Sequence, residues 1–341
     1  MKYYDLRSDT VTRPSGEMRK LMHKAEVGDD VYGEDPTINL LQETAAKLTG
    51  KKAALFLPSG SMGNLIPLII QCGRGNEVIL HENNHIMHYE LASAAALAGV
   101  MPITVSGERG IVTPRAVEPK LRPEIYYMAR TGLIEIENTH NKEGGTCWSE
   151  EELSALSRFA KKRGIPIHLD GARVFNAAVH TGMTVKRISS YADTVTFCLS
   201  KGLGAPVGSL LCGPAEFIAE ARRVRKMLGG GMRQAGILAA AGLYALENNV
   251  DRLREDHLNA RKLADTLGGV AWAQVDPDAV ETNILFFGTP AGNAQAIVQA
   301  LAKKGVLCSN DGDYRIRFVT SLEVSSHDIR EVCGIIENLK V

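Results

Sequence analysis

Thr194-Val-Thr-Phe-Cys-Leu-Ser-Lys201-Gly-Leu-Gly204 decides the fold: a β-branched apolar run without polar alternation ends in a Ser-Lys pair followed by small residues. Such a run is a strand covered on both faces, the kind found in parallel α/β sheets. A lysine closing a buried strand is partly desolvated, which favours the neutral, nucleophilic amine of Schiff-base chemistry. The glycines beyond it let the backbone turn tightly and leave room for a flat ring. A second strand, Gly164-Ile-Pro-Ile-His-Leu-Asp170-Gly-Ala-Arg173, ends in an acid. In an open parallel sheet both ends face one crevice. Lys201 and Asp170 then match a pyridoxal 5′-phosphate site, in which a lysine carries the cofactor and a carboxylate partners its pyridinium nitrogen. A structural ion pair is the plainer reading of the same two residues.

Composition narrows the class. The 341 residues, 45% hydrophobic and 23% charged, suffice for a large core and more than one domain. With 39 basic against 39 acidic residues the formal net charge is zero, so no general attraction to nucleic acid or an anionic membrane is expected. Cys72, Cys147, Cys198, Cys212, Cys308 and Cys333 are scattered with no C-x-x-C pair, as suits reduced thiols rather than disulfides or a zinc site. The N-terminus lacks the apolar core of a signal peptide, and no run approaches the roughly 20 apolar residues of a spanning helix. The expectation is a soluble, cytoplasmic protein.

Around the two strands the chain alternates. Ser8, Asp9, Thr10 and Thr12 sit in a polar N-terminal stretch able to bind a carboxylate or phosphate, or simply to cap turns. A first helix is expected over Ser15–Lys24, a Gly/Asp/Pro-rich loop carrying Tyr32 over 27–36, and a helix over 37–48 capped by Thr37 and stopped by Gly50. Next, Ala53-Ala-Leu-Phe-Leu-Pro-Ser59-Gly60-Ser61-Met-Gly63 is a strand running through a Ser-Gly-Ser turn into a helix, whose free N–H groups and hydroxyls suit phosphate. It is neither a Walker A loop nor a dinucleotide fingerprint. Strands follow at Glu77–Leu80, Met101–Val105 and Gly132–Asn138, with helices at Leu91–Ala98 and Arg115–Leu121. His81, His85 and His88 lack a cysteine or carboxylate completing a familiar metal signature, so no metal is expected; stacking on a pyridine ring suits one of them better. Glu137, Asn138 and His140 fall at the crevice edge, and Ser149 with Glu152 forms a capping box.

This βα repeat predicts a mainly parallel, doubly wound sheet flanked by helices. Beyond it, Gly229-Gly-Gly-Met-Arg233 is a loop able to meet phosphate or a partner subunit, and a long helix spans 235–267 with a break near Asn248. Strands near 271–275, 282–287, 306–309 and 315–320, with helices near 293–303 and 326–339, describe a small α+β domain. Arg315 and Arg317 share one face of a strand, and one of them is a candidate carboxylate clamp. The expected organisation is an N-terminal segment 1–14 reaching the active site, a large domain 15–245 and a small domain 246–341.

Asp5-Leu-Arg-Ser-Asp-Thr-Val-Thr, Gly28-Asp-Asp-Val-Tyr-Gly-Glu-Asp-Pro, Pro58-Ser-Gly-Ser-Met-Gly-Asn, Glu137-Asn-Thr-His-Asn, His168-Leu-Asp-Gly-Ala-Arg, Leu199-Ser-Lys-Gly-Leu and Gly229-Gly-Gly-Met-Arg-Gln resemble, in order, the motifs of low-specificity L-threonine aldolases. These are pyridoxal-phosphate enzymes of the aspartate-aminotransferase fold (fold type I). The resemblance implies retro-aldol cleavage of L-threonine, L-allo-threonine and other β-hydroxy-α-amino acids to glycine and an aldehyde, by a homotetramer built as a dimer of dimers. It gives Lys201 the covalent bond to the cofactor, Asp170 the ring nitrogen and His85 the stacked imidazole. Ser59, Gly60 and Ser61 hold the phosphate, with Arg233 near it. Arg173 lies beside cofactor and substrate and joins Ser8 and Arg317 on the substrate carboxylate, while Tyr32, Tyr89 and Lys226 sit near the dimer interface.

One stretch departs from the pattern. Where many relatives carry a histidine thought to meet the substrate hydroxyl, this chain has Tyr127-Met-Ala-Arg130-Thr131, so threo or erythro preference does not carry over. The expected proton acceptor is His85, with Tyr127 as the alternative. A β-eliminating lyase or an aminotransferase built on the same lysine and aspartate, and a silent binding protein, are the rival expectations.

Overall fold

A computed structural model describes residues 2–340. Its centre is a seven-stranded sheet running, edge to edge, Ala53–Leu57, Ser209–Gly213, Thr194–Cys198, Ile167–Asp170, Thr131–Glu137, Glu77–His81 and Met101–Val105. All neighbours are parallel except Ser209–Gly213, which is antiparallel to both strands beside it. That strand is one the sequence pattern did not separate from the helical repeat. Every residue of Thr194–Cys198 is buried, as its unbroken apolar run predicts. Alternation along the strands feeds two covering layers: Ala54, Phe56 and Ile79 enter one core, while Leu55, Leu57, Val78 and Leu80 enter cores on the opposite face.

Local chemistry explains most helix starts. Ser15 accepts the Met18 N–H at 3.1 Å and opens Gly16–Lys24. Pro36–Thr49 is capped by Asp35 rather than Thr37, with Pro36 in the first turn, where a missing N–H costs nothing. Gly50 ends it at φ 68°. Ser149 and Glu152 form the expected capping box of Glu150–Lys162. Two expected helices break up. Leu91 and Ala92 take φ of 53° and 56°, so only a wide π-type turn, Ala94–Ala98, remains of the alanine-rich segment. The stretch after Thr113 is a short helix, Pro114–Val117, tightening into a 3₁₀ turn over Glu118–Lys120. The long C-terminal segment is two helices, Gly236–Asn248 and Leu253–Gly268.

A second, smaller core gathers Leu263, Phe287, Phe318 and Ile329 with Tyr4 and Leu6. Its sheet is antiparallel, ordered Ser309–Asn310, Arg315–Val319, Ile284–Gly288. The strand expected over 271–275 shrinks to one bridge, Gln274 with Gly288. Tyr4–Asp5 pairs in parallel with Val306–Leu307, tying the N-terminal segment to this core. From there the chain crosses to the crevice, where the Thr12 hydroxyl donates to the Lys201 carbonyl at 3.0 Å. Among the described residues no helix is long and apolar enough to cross a membrane.

Candidate active site

The register Glu137, Asp170, Thr196 across three adjacent parallel strands aligns their carboxyl ends on one rim. Asp170 is buried there, and Asn64 from the helix Gly60–Pro67 organises it. The Asn64 Nδ2 donates to Asp170 Oδ2 and to Glu90 Oε1, both at 2.8 Å. The Ala172 N–H donates to Asp170 Oδ1 at 3.0 Å. The same Glu90 oxygen lies 2.8 Å from His85 Nδ1. Burial alone would raise the Asp170 pKa; the charges of His85 and Lys201, with the Asn64 and Ala172 hydrogen bonds, outweigh it and hold Asp170 below the usual carboxylate range. A carboxylate kept ionised in a dry site is what a protonated ring nitrogen needs beside it.

On the other side of the rim stands a group of cations. Arg173 grips Asp9 with both Nε and Nη2 at 2.7 Å, each side chain buried. Arg317, on Arg315–Val319, donates to Asn141 Oδ1 at 2.7 Å, while its buried Nε has no partner. Burial and the nearby Arg173 lower the Arg317 pKa to about 10. Burial favours the neutral acid at Asp9, but Arg173, then Lys201 and Arg317, push its pKa well below the usual value. Three cations around one buried carboxylate leave positive charge, and an orphaned donor, for a second carboxylate.

The Ser59-Gly60-Ser61 turn opens a helix, the shape expected of the candidate phosphate cup. Ser59 caps the helix Gly60–Pro67 by accepting the Met62 N–H at 3.3 Å, leaving the first N–H groups and the Ser61 hydroxyl for an outside acceptor. A Cβ on Gly60 would lie 2.9 Å from Cys198 Sγ, and one on Gly63 2.4 Å from Thr196 Cγ2. This close approach seats the helix start on the strand that leads to Lys201. The donor set therefore fits pyridoxal phosphate: an ionised acid, a lysine, an imidazole at the same acid, and an anion-binding helix start.

Other expected residues fall unevenly around this group. Tyr89 packs on His85, ring centroids 5.2 Å apart, and Ser8 turns its hydroxyl onto the Thr10 N–H at 3.2 Å. Arg233 donates one Nη to Asp29 at 2.9 Å and stays half exposed, and Tyr32 is exposed in the neighbouring loop. Tyr127 is the correction. It precedes Thr131–Glu137, so it stands at the amino end of that strand while Glu137 and Asp170 mark the carboxyl end; it is 67% exposed. The seven-residue strand separates it from this chain's own His85. Asn64 and Glu90 are the members that residue types alone did not single out, and Asp9, expected to bind an anion or cap a turn, instead pairs with Arg173. A lone Asn inside an apolar helix was the available signal for the first.

A ring of further buried carboxylates lies behind His85. Glu137 accepts the N–H groups of His85 and Asn141, each at 2.8 Å, and Glu135 accepts from Asn84. Burial first, then the charge of Asp170, raises both, Glu135 well above the ordinary glutamate value. Among the described residues two groups bring three acidic, imidazole or thiol side chains together: His85, Glu90 and Asp170, already joined to one another through hydrogen bonds and Asn64, and Cys147, His180 and Glu281. In the second, Glu281 is already held by Arg109 and by the Cys147 N–H at 2.8 Å.

Comparison with known proteins agrees. Residues 5–289 match the family model described as beta-eliminating lyase. The low specificity L-threonine aldolase of Escherichia coli K12 is 46% identical over 331 residues, covering 97% of each chain. Low-specificity L-threonine aldolase 1 of Arabidopsis thaliana is 45% identical over 337 residues, covering 96% of this chain and 94% of that one. The solved Leishmania major threonine aldolase, 21% identical, superposes with a TM-score of 0.83 over 98% of both chains, which speaks to the fold. With its fold-type I architecture, the chain belongs to the low-specificity L-threonine aldolase family of the beta-eliminating lyases.

Proposed function

We propose that this chain is a pyridoxal 5′-phosphate-dependent aldehyde lyase that cleaves L-threonine, L-allo-threonine and related β-hydroxy-α-amino acids to glycine and an aldehyde. One observation carries the reading: a buried, ionised Asp170 shares a rim with Lys201, opposite the unspent donor of Arg317. When bound, the cofactor supplies an electron sink for the bond broken at the substrate Cα. Lys201 would hold it covalently, Asp170 would face its ring nitrogen, His85 would lie against its ring, and Ser59, Gly60 and Ser61, with Arg233, would hold its phosphate.

The chain's own groups select the bond. Arg317 Nε, with Ser8 and Arg173, fixes the substrate carboxylate, and a fixed carboxylate sets which Cα substituent is aligned for cleavage. His85 Nε2 takes the hydroxyl proton, and Tyr127, at the amino end of Thr131–Glu137 in this chain, is set aside for that duty. The organisation into 1–14, 15–245 and 246–341 is retained as a proposal, amended in that the first residues pack with the small core. Exposed Tyr32, Leu91, Tyr126 and Met227 support burial in a homotetramer, with Tyr89 and Lys226 near its dimer interface, and the six free cysteines suit the cytoplasm. Threonine breakdown and glycine supply are the corresponding metabolic roles.

Incubating the holoenzyme with L-threonine tests the reaction. Acetaldehyde and glycine in equal amounts are expected. Ammonia with 2-oxobutyrate, or turnover that depends on an added keto acid, would overturn the proposal in favour of elimination or amino transfer. L-threonine, L-allo-threonine and phenylserine compared side by side report the preferred diastereomer.

A further inference from the structure

Glu90 touches neither of the residues expected to bind cofactor covalently or clamp substrate, yet it is buried at the centre of the hydrogen-bonding pattern. One of its oxygens meets His85 Nδ1 and Asn64 Nδ2, both at 2.8 Å, and through Asn64 it is one residue removed from Asp170. Its other oxygen is buried without a partner. An imidazole whose Nδ1–H is donated to a carboxylate keeps Nε2 as its basic atom, so the carboxylate selects the tautomer.

The backbone supplies a second, independent observation. Directly after Glu90, Leu91 and Ala92 both occupy the left-handed region, at φ 53° and 56°. That region costs an ordinary residue roughly 1–2 kcal/mol, and only glycine enters it freely. Leu91 is 97% exposed on this chain, so within the chain the distortion gains no burial for its side chain. What the turn achieves is to carry the Glu90 carboxylate inward under His85. Backbone strain of this kind gathers where a side chain must be held against local preference.

We infer that Glu90 is a positioning residue for the cleavage reaction: it fixes the Nδ1–H tautomer of His85 and sets the pH above which His85 Nε2 accepts the substrate hydroxyl proton. The inference rests on the proposed role of His85 as acceptor. The groups facing His85 are Glu90 and Tyr89 on its own segment, Glu135 and Glu137 on the strand Thr131–Glu137, Asp170 on Ile167–Asp170, and Lys201 beyond Thr194–Cys198. Burial acts to lower the His85 pKa; the Glu90 hydrogen bond and the charges of Asp170 and Glu90 outweigh it, and the net direction is upward. Neutralising Glu90 removes the largest of those upward contributions.

The test is the holoenzyme with Glu90→Gln, Glu90→Asp and His85→Asn. In Glu90→Gln the acid limb of the kcat/KM profile on L-threonine should move to lower pH by about one pH unit, with kcat reduced more than KM is changed. Glu90→Asp should restore part of the wild-type profile. Independently of turnover, histidine-labelled wild type should show a downfield Nδ1–H proton resonance that disappears in both His85→Asn and Glu90→Gln. An unchanged acid limb and a retained resonance in Glu90→Gln would overturn the inference. If His85→Asn itself leaves the acid limb in place, the assignment of His85 as acceptor fails instead.

Discussion

At the residue scale, Asp9 shows how much one polar side chain can hold. It forms a buried ion pair with Arg173, and Asn283 Nδ2 from the small core also donates to it at 3.2 Å. Asp9→Asn should cost about 3 kcal/mol in urea unfolding, because it leaves a buried guanidinium without its counter-charge. The sign with pH follows from the depressed Asp9 pKa: its contribution is present above the ordinary carboxylate range and lost as the pH falls through the folded value. The acid-side loss of stability should therefore be shallower in Asp9→Asn than in wild type. Glu135 behaves in the opposite sense. Its raised pKa means that the folded state keeps the proton, so its contribution fades as the pH rises above the ordinary glutamate value. Glu135→Gln mimics the protonated acid and should be at least about 1 kcal/mol more stable at neutral pH, with the gap closing below pH ~4, as unfolding midpoints across that range will report.

At the element scale, the sequence was most legible where one local rule acts alone. The unbroken apolar runs at Thr194–Cys198 and Ile167–Asp170 are buried strands, and the Ser149–Glu152 box opens its helix. It was least legible where tertiary contacts compete with propensity. Leu91–Ala98 has an alanine-rich helical composition, yet its first two residues are bent out of the helix by the turn that buries Glu90. Ala92→Gly should accordingly stabilise the protein by about 1 kcal/mol in thermal or urea unfolding, since glycine adopts that φ without strain. The site divided in the same way. Lys201, Asp170 and the Ser59–Ser61 turn were readable because each closes a strand that must end at the crevice. Asn64 and Glu90 were not, since nothing in a helix interior or a polar loop states that two carboxylates will share one amide. Tyr127 was misplaced because its nearness to Thr131 in sequence puts it at the wrong end of a parallel strand.

At the scale of the whole molecule, the proposed active site is a seam between two cores. Asp170 and Lys201 belong to the large sheet, Arg317 to the small antiparallel sheet, and Ser8 and Asp9 to a segment anchored by Tyr4 and Leu6 in the small core. Changing the small core should therefore reach the chemistry. Leu6→Ala, which empties a fully buried position, should cost 2–5 kcal/mol and should also raise KM for threonine, as Ser8 and Asp9 lose their footing. A loss of stability with KM unchanged would show that the segment is held by its crevice contacts alone. The pairing of Tyr4 with Val306 has a consequence for synthesis as well. All seven strands of the large sheet have been made once Gly213 has been added, so that layer can assemble, after clearing the ribosome, while elongation continues. Tyr4 and Leu6 must wait, uncovered, until Val306, Phe318 and Ile329 have emerged, so residues made before the large sheet find their place after it.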